Sequence, residues 1–149
     1  MVKKNIILLT VLFFLNSCGF TPLYLKNNDV NFSIEQADFI GDRELNNFLK
    51  ANFIKYRNKE NSNKIYIEVQ TEYNKIILSK DATGETTNYQ LEANVSILIK
   101  TTNKLIRINE KSIMKDLDDK FEEARYERSI KQNFASSITN KFISKLIIN

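Results

Sequence analysis

The chain has 149 residues, 27% of them charged, and a formal net charge of +4. It contains no histidine, one cysteine and three glycines, so histidine triads, histidine metal sites, disulfides within the chain and a glycine-rich phosphate loop are closed to it. Lys3 and Lys4 contribute half of that excess, and a balance this mild demands neither nucleic acid nor another polyanion.

Residues 1–17 read as a bacterial export signal that is cleaved. Lys3 and Lys4 form the charged start, and Ile6 through Leu15 is an apolar run broken only by Thr10. Leu15-Asn16-Ser17-Cys18 then closes the segment in the manner of a lipoprotein site. The thiol would be acylated and the chain cut just before it, leaving a mature protein that begins at a lipid-bearing Cys18 (diacylglycerol and an N-acyl group, with no other cofactor expected). Plain secretion and a buried cytosolic cysteine are the other readings of this segment. An uncleaved anchor would need roughly 20 apolar residues, about twice this run. Gly19 stands where aspartate would signal inner-membrane retention, which favours the outer membrane with the protein facing the periplasm. Residues 18–29 form a short tether holding the only proline, Pro22.

Residues 30–149 read as one α+β domain. Val30, Phe32 and Ile34 alternate with polar neighbours, the mark of a strand with one wet face. Asp42 stands at a helix start, and Leu45, Phe48, Leu49, Phe53 and Tyr56 follow at helical spacing. Ile65, Ile67, Val69, Thr71 and Tyr73 line one face of a long strand that runs to Leu78. After a turn with Asp81 and Gly84, a second long strand sets Tyr89, Leu91, Ala93, Val95, Ile97 and Ile99 on one side. Thr101–Lys104 is a tight connection to a third, less regular strand, Leu105–Ile113. Asp116, Asp118 and Asp119 read as a solvated turn rather than a cation site. Ile130, Phe134, Ile138, Phe142 and Leu146 then make a helical ridge, with Arg128, Lys131, Asn140 and Lys145 opposite them. The expected architecture is a two-layer sandwich: a mainly antiparallel four-stranded sheet with two helices packed on one face.

Cys18-Gly19-Phe20-Thr21-Pro22-Leu23-Tyr24 resembles the start of the LptE family, the lipopolysaccharide-assembly lipoproteins of Gram-negative outer membranes. Asn88-Tyr89-Gln90-Leu91 at the head of a long strand, the hairpin at Lys100–Lys104, and a terminal helix with Phe121, Ala124, Ala135, Ile138, Phe142 and Leu146 extend the likeness over nearly all of the mature chain. Members of that family often carry an arginine where this chain has Thr86-Thr87-Asn88. The resemblance implies a non-enzymatic outer-membrane lipoprotein that plugs and helps assemble the LptD β-barrel and assists lipopolysaccharide delivery to the outer leaflet. The implied partners are that barrel, lipopolysaccharide and the membrane through the lipid; nucleic acid is not among them.

Lipid A carries phosphates and acyl chains, so its contacts would be Lys or Arg beside apolar groups. Lys75, Lys80, Lys100, Lys104 and Arg107 have that setting. The same residues also serve as soluble hairpin ends that block edge pairing. Phe20, Leu23 and Tyr24 are candidates for contact with the partner or the membrane, since their tether has no core of its own. An auxiliary lipoprotein of an ABC-type lipid transport system is the competing function, and a small periplasmic enzyme without histidine the third.

Overall fold

The computed structural model describes residues 30–57, 60 and 62–147. The export signal, Cys18 and the tether with Phe20, Leu23 and Tyr24 lie outside the described residues. The order of elements is β1 (Ser33–Gly41), α1 (Arg43–Phe53) continued by a 3-10 turn (Ile54–Tyr56), β2 (Lys64–Lys80), β3 (Thr86–Ile99), β4 (Lys104–Lys115) and α2 (Lys120–Ile147). The sheet runs β1-β2-β3-β4. β1 pairs with β2 in parallel, and the other two pairings are antiparallel. Both helices pack on one face, giving the expected α+β sandwich.

The alternation of apolar residues in β2 and β3 places their core faces. Ile67, Val69, Leu91, Ala93, Val95 and Ile97 are all at most 2% exposed. α1 supplies Leu45, Leu49 and Phe53 to the same core, and α2 supplies Phe134, Ala135, Ile138, Phe142 and Ile143. Phe53 meets Phe142 edge to face, with ring centroids 5.7 Å apart. β4 adds Ile106, Ile108 and Met114. Its irregular look in sequence comes from Leu105 and Ile113, which point to the other side and are 45% and 61% exposed.

β1 differs from its sequence reading. It begins later than Val30 and continues to Gly41, through a stretch whose alternation is out of phase with Phe32 and Ile34. The register with β2 steps from Ile34↔Ile65 to Gln36↔Tyr66, so Glu35 is an extra residue. One inserted residue turns every later side chain over. Ile34 faces the core before the bulge, and Ala37 and Phe39 pack against the core after it.

The turn from β1 into α1 is closed by Gly41, which sits at φ +108°. A Cβ there would lie 1.8 Å from the carbonyl oxygen of Thr71, so only glycine fits. The next residue, Asp42, caps α1 by accepting a hydrogen bond from the Leu45 amide at 2.7 Å. Beneath this turn the Thr71 hydroxyl is 2.9 Å from Asn46 Oδ1 and 3.3 Å from the Ile40 carbonyl, so two buried polar side chains are satisfied together.

Because β1 and β2 run the same way and both helices run back, the molecule has two distinct ends. The chain enters at Val30 beside the β3–β4 hairpin and the C-termini of both helices. The β2–β3 hairpin lies at the other end, next to the helix N-termini.

Candidate functional site

Five cationic side chains are candidates for contacts with an anionic lipid, and the fold does not bring them together. Lys80 closes one end of β3, across from Thr86, while Lys100 and Lys104 close the other. The length of β3 puts roughly 45 Å between those ends. Lys75 projects into the helix layer, with its Nζ 2.7 Å from Glu123, 3.0 Å from Glu127, and 4.2 Å from the centre of the Tyr89 ring. Lys100 is held by Asp38 at 2.8 Å and Glu68 at 3.6 Å. Hydrogen bonding to Asp38 raises the Lys100 pKa, and the same bond lowers that of Asp38. Lys80, Lys104 and Arg107 are exposed. Arg107 also lines a shallow groove of about 510 Å³ between β4 and the end of α2, beside Lys141 and Lys145.

A charged cluster that the sequence reading did not assemble holds the start of α2 on the sheet. Glu123 is 6% exposed. It is paired with Lys75 and with Lys120 at 2.9 Å, and it accepts the Leu117 amide at 3.1 Å. The hydrogen bond from Lys75 is the main cause that pulls its pKa below the carboxylate range, to about 2, against the opposing effect of burial; Lys120 and the Leu117 amide add to the lowering. Tyr89 donates to Asp116 at 3.0 Å, and Tyr73 donates to Glu127 at 2.9 Å. Burial and the Glu127 hydrogen bond raise the Tyr73 phenol far above its ordinary range.

Lys131 belongs here too, and this corrects its placement on the outer side of α2. Its side chain is 11% exposed, lies 3.0 Å from Glu44 of α1, and stands 4.1 Å from the centre of the Tyr73 ring. Lys131 directly follows Ile130 on the buried ridge, and from its charge alone it reads as a wet residue. A Glu–Tyr–Lys grouping across three elements carries no local signal from which it could have been read. Asp119 is likewise more than a solvated turn, since its carboxylate accepts the Phe121 amide at 2.8 Å and caps α2. Among the described residues no group of acidic, histidine or cysteine side chains is arranged to hold a metal.

The surface best placed to meet a partner is the sheet face turned away from the helices. No described element covers it. Register puts Glu68, Gln70, Glu72 and Asn74 of β2 beside Leu98, Ser96, Asn94 and Glu92 of β3, with Arg107, Asn109 and Lys111 of β4 completing the rows. Its charges are largely matched within the face: Lys111 lies 2.6 Å from Glu92, and Lys100 bridges Asp38 and Glu68. The Lys111 bond keeps the Glu92 carboxyl below its ordinary pKa. Amides fill the space between, and Asn109 donates to Asn94 at 2.5 Å. Such a face presents many hydrogen-bonding groups and little net charge. At its far end Ile76 and Ile113 flank Gln90 and are 46% and 61% exposed, a small apolar patch in a polar field.

The architecture is one that bacterial lipoproteins share. The rare lipoprotein B of Shewanella oneidensis superposes with a TM-score of 0.50 at 13% identity, covering 75% of this chain and 96% of that one. Lipoprotein B of Nitrosomonas europaea does so with a TM-score of 0.52 at 14% identity, covering 80% of this chain and 89% of that one. At these identities the likeness is one of fold. No family model matches the chain, and no curated protein sequence matches it. No helix among the described residues is long and apolar enough to cross a membrane.

Proposed function

We propose that this chain is a lipid-anchored envelope protein of the LptE type. In this reading Cys18 carries the lipid, the domain faces the periplasm from the outer membrane, and it works by docking rather than by catalysis. Its partner is the lumen of a large outer-membrane β-barrel of the LptD type, which it helps assemble, and it assists delivery of lipopolysaccharide through that barrel.

The observation that carries the reading is the conjunction of the lipoprotein fold with Cys18-Gly19-Phe20-Thr21-Pro22-Leu23-Tyr24 at the head of the mature chain. The uncovered sheet face supports it. Barrel lumens are polar, and an internally neutralised face rich in amides can bond to such a wall without burying unpaired charge. Of the five cations, Lys75 and Lys100 are engaged within the fold, so Lys80, Lys104 and Arg107 are the better candidates for lipopolysaccharide.

Depletion of the protein in its native cell is the test. Loss of the mature barrel together with surface lipopolysaccharide is expected. Normal levels of both would refute the reading. Recovery of an ATPase complex instead of a barrel from detergent extracts would point to the transport-auxiliary alternative.

A further inference from the structure

A shallow apolar groove lies between β1 and the C-terminal end of α1. Ile34, Ala37 and Phe39 form one wall, Phe53 and Ile54 the other, and Glu35, Lys50 and Arg57 complete the lining. Its volume of about 150 Å³ suits one or two side chains rather than a large ligand. Ile34 and Phe53 are buried, so the apolar surface left open is that of Ile54, 67% exposed, and part of Phe39, whose ring centre stands 5.2 Å from Lys50. The sheet ends at β1, which has no strand on its other side among the described residues.

We propose that this groove is the docking site of the chain's own segment Phe20–Leu25. Three observations choose that occupant over a foreign one. The groove is at the end of the molecule where the chain enters, and Ile34, four residues past Val30, is part of its wall. Tyr24 and Ile34 are ten positions apart, which can span up to roughly 33 Å, ample for one reversal of direction. Between them Asn27, Asn28 and Asp29 are residue types that favour such a reversal. The segment also has the right chemistry: Phe20, Leu23, Tyr24 and Leu25 are apolar or aromatic, and the residues from Lys26 to Asp29 are all polar. Because guest and groove belong to one chain, the local concentration is on the order of millimolar, and a weak contact suffices.

Docked in this way, Phe20, Leu23 and Tyr24 cover the apolar edge in cis instead of contacting the partner or the bilayer. Residue 18 is then held near the C-terminal end of α1, which fixes the end of the molecule that faces the anchoring membrane. This docking rests on the proposed reading of Cys18 as the lipid-bearing start of the mature chain, and not on the barrel.

Site-specific photocrosslinking of the full-length protein, extracted from membranes in detergent, tests it. The variant Tyr24→benzoylphenylalanine is irradiated and digested. An intramolecular crosslink to peptides containing residues 34–39 or 50–57 is expected, and Ile54→Asp, at a position 67% exposed, should abolish it. Hydrogen exchange gives a second readout: Phe20→Ser, Leu23→Ser and Tyr24→Ser together should speed exchange in residues 36–41 and 54–57 severalfold while leaving β3 unchanged. Crosslinks only to lipid or to another protein, or exchange in these segments identical to that of the parent, would overturn the proposal.

Discussion

The two ends of the helix–sheet interface are built from different materials. Toward the helix C-termini, Phe53, Phe142, Ile138, Ile67 and Ile97 interlock in an apolar core. Toward the helix N-termini, Lys75, Glu123, Glu127, Lys131, Glu44 and two tyrosines hold the same layers together. The contrast separates two ways of fastening a helix to a sheet. Apolar packing gains from removing area from water and tolerates exchange among residues of similar volume. A charged fastening is nearly balanced between desolvation and attraction, so removing one partner costs much more than removing both.

The largest effect is expected at the apolar end. Phe142→Ala removes a fully buried ring and leaves a cavity beside Phe53, which should cost about 3–5 kcal/mol by urea denaturation. A loss below about 1 kcal/mol would mean that this end collapses easily around the gap.

At the charged end, Lys75→Met should cost about 1–2 kcal/mol, because Glu123 loses its main partner while Lys120 remains and the Lys75 side chain is 27% exposed. The double variant Lys75→Met/Glu123→Met should recover most of that loss. If the double variant is instead the sum of its parts, Lys75 and Glu123 act independently, and the distinction fails.

Acid titration sharpens the same contrast. Glu123 has its pKa depressed from 4.5 to about 2 in the folded state. A depressed carboxylate contributes stability that is complete above its unfolded pKa and fades as pH falls through the folded one. Stability should therefore decline between pH 4.5 and about 2, and Glu123→Gln should flatten that part of the curve. An unchanged slope would place the acid sensitivity elsewhere.

The cap of α1 comes next, with Asp42→Ala expected to cost about 1 kcal/mol through loss of the bond to the Leu45 amide. Smallest of all is the outer face. Lys111→Ala breaks a pair whose lysine is largely exposed and should leave stability nearly unchanged in urea denaturation. Under the proposed function, Asn94→Arg should be similarly mild for folding yet reduce co-purification with the barrel.

Much of this was readable from residue order. Strict two-residue alternation from Ile65 to Tyr73 and from Tyr89 to Ile99 dictates which faces are buried, because strand side chains cannot do otherwise. Asp42 followed by Leu45, Leu49 and Phe53 states a capped amphipathic helix in the same way. These signals are local, and a sandwich of two helices on one sheet face is their simplest joint solution.

Three things were decided only by the tertiary structure. The bulge at Glu35 exists because β1 is aligned against β2, and pairing register is a relation between two segments. Lys131 is inside because Glu44 and Tyr73 arrive from other elements to receive its charge; from α2 alone it reads as a wet residue. The five basic candidates for lipid contact are divided between the two ends of β3 and the helix layer, because distance along a hairpin does not say which ends meet. A chain reports its periodicities through its own backbone geometry. Which charges are shared, and which face is left bare, depends on partners that are distant in sequence.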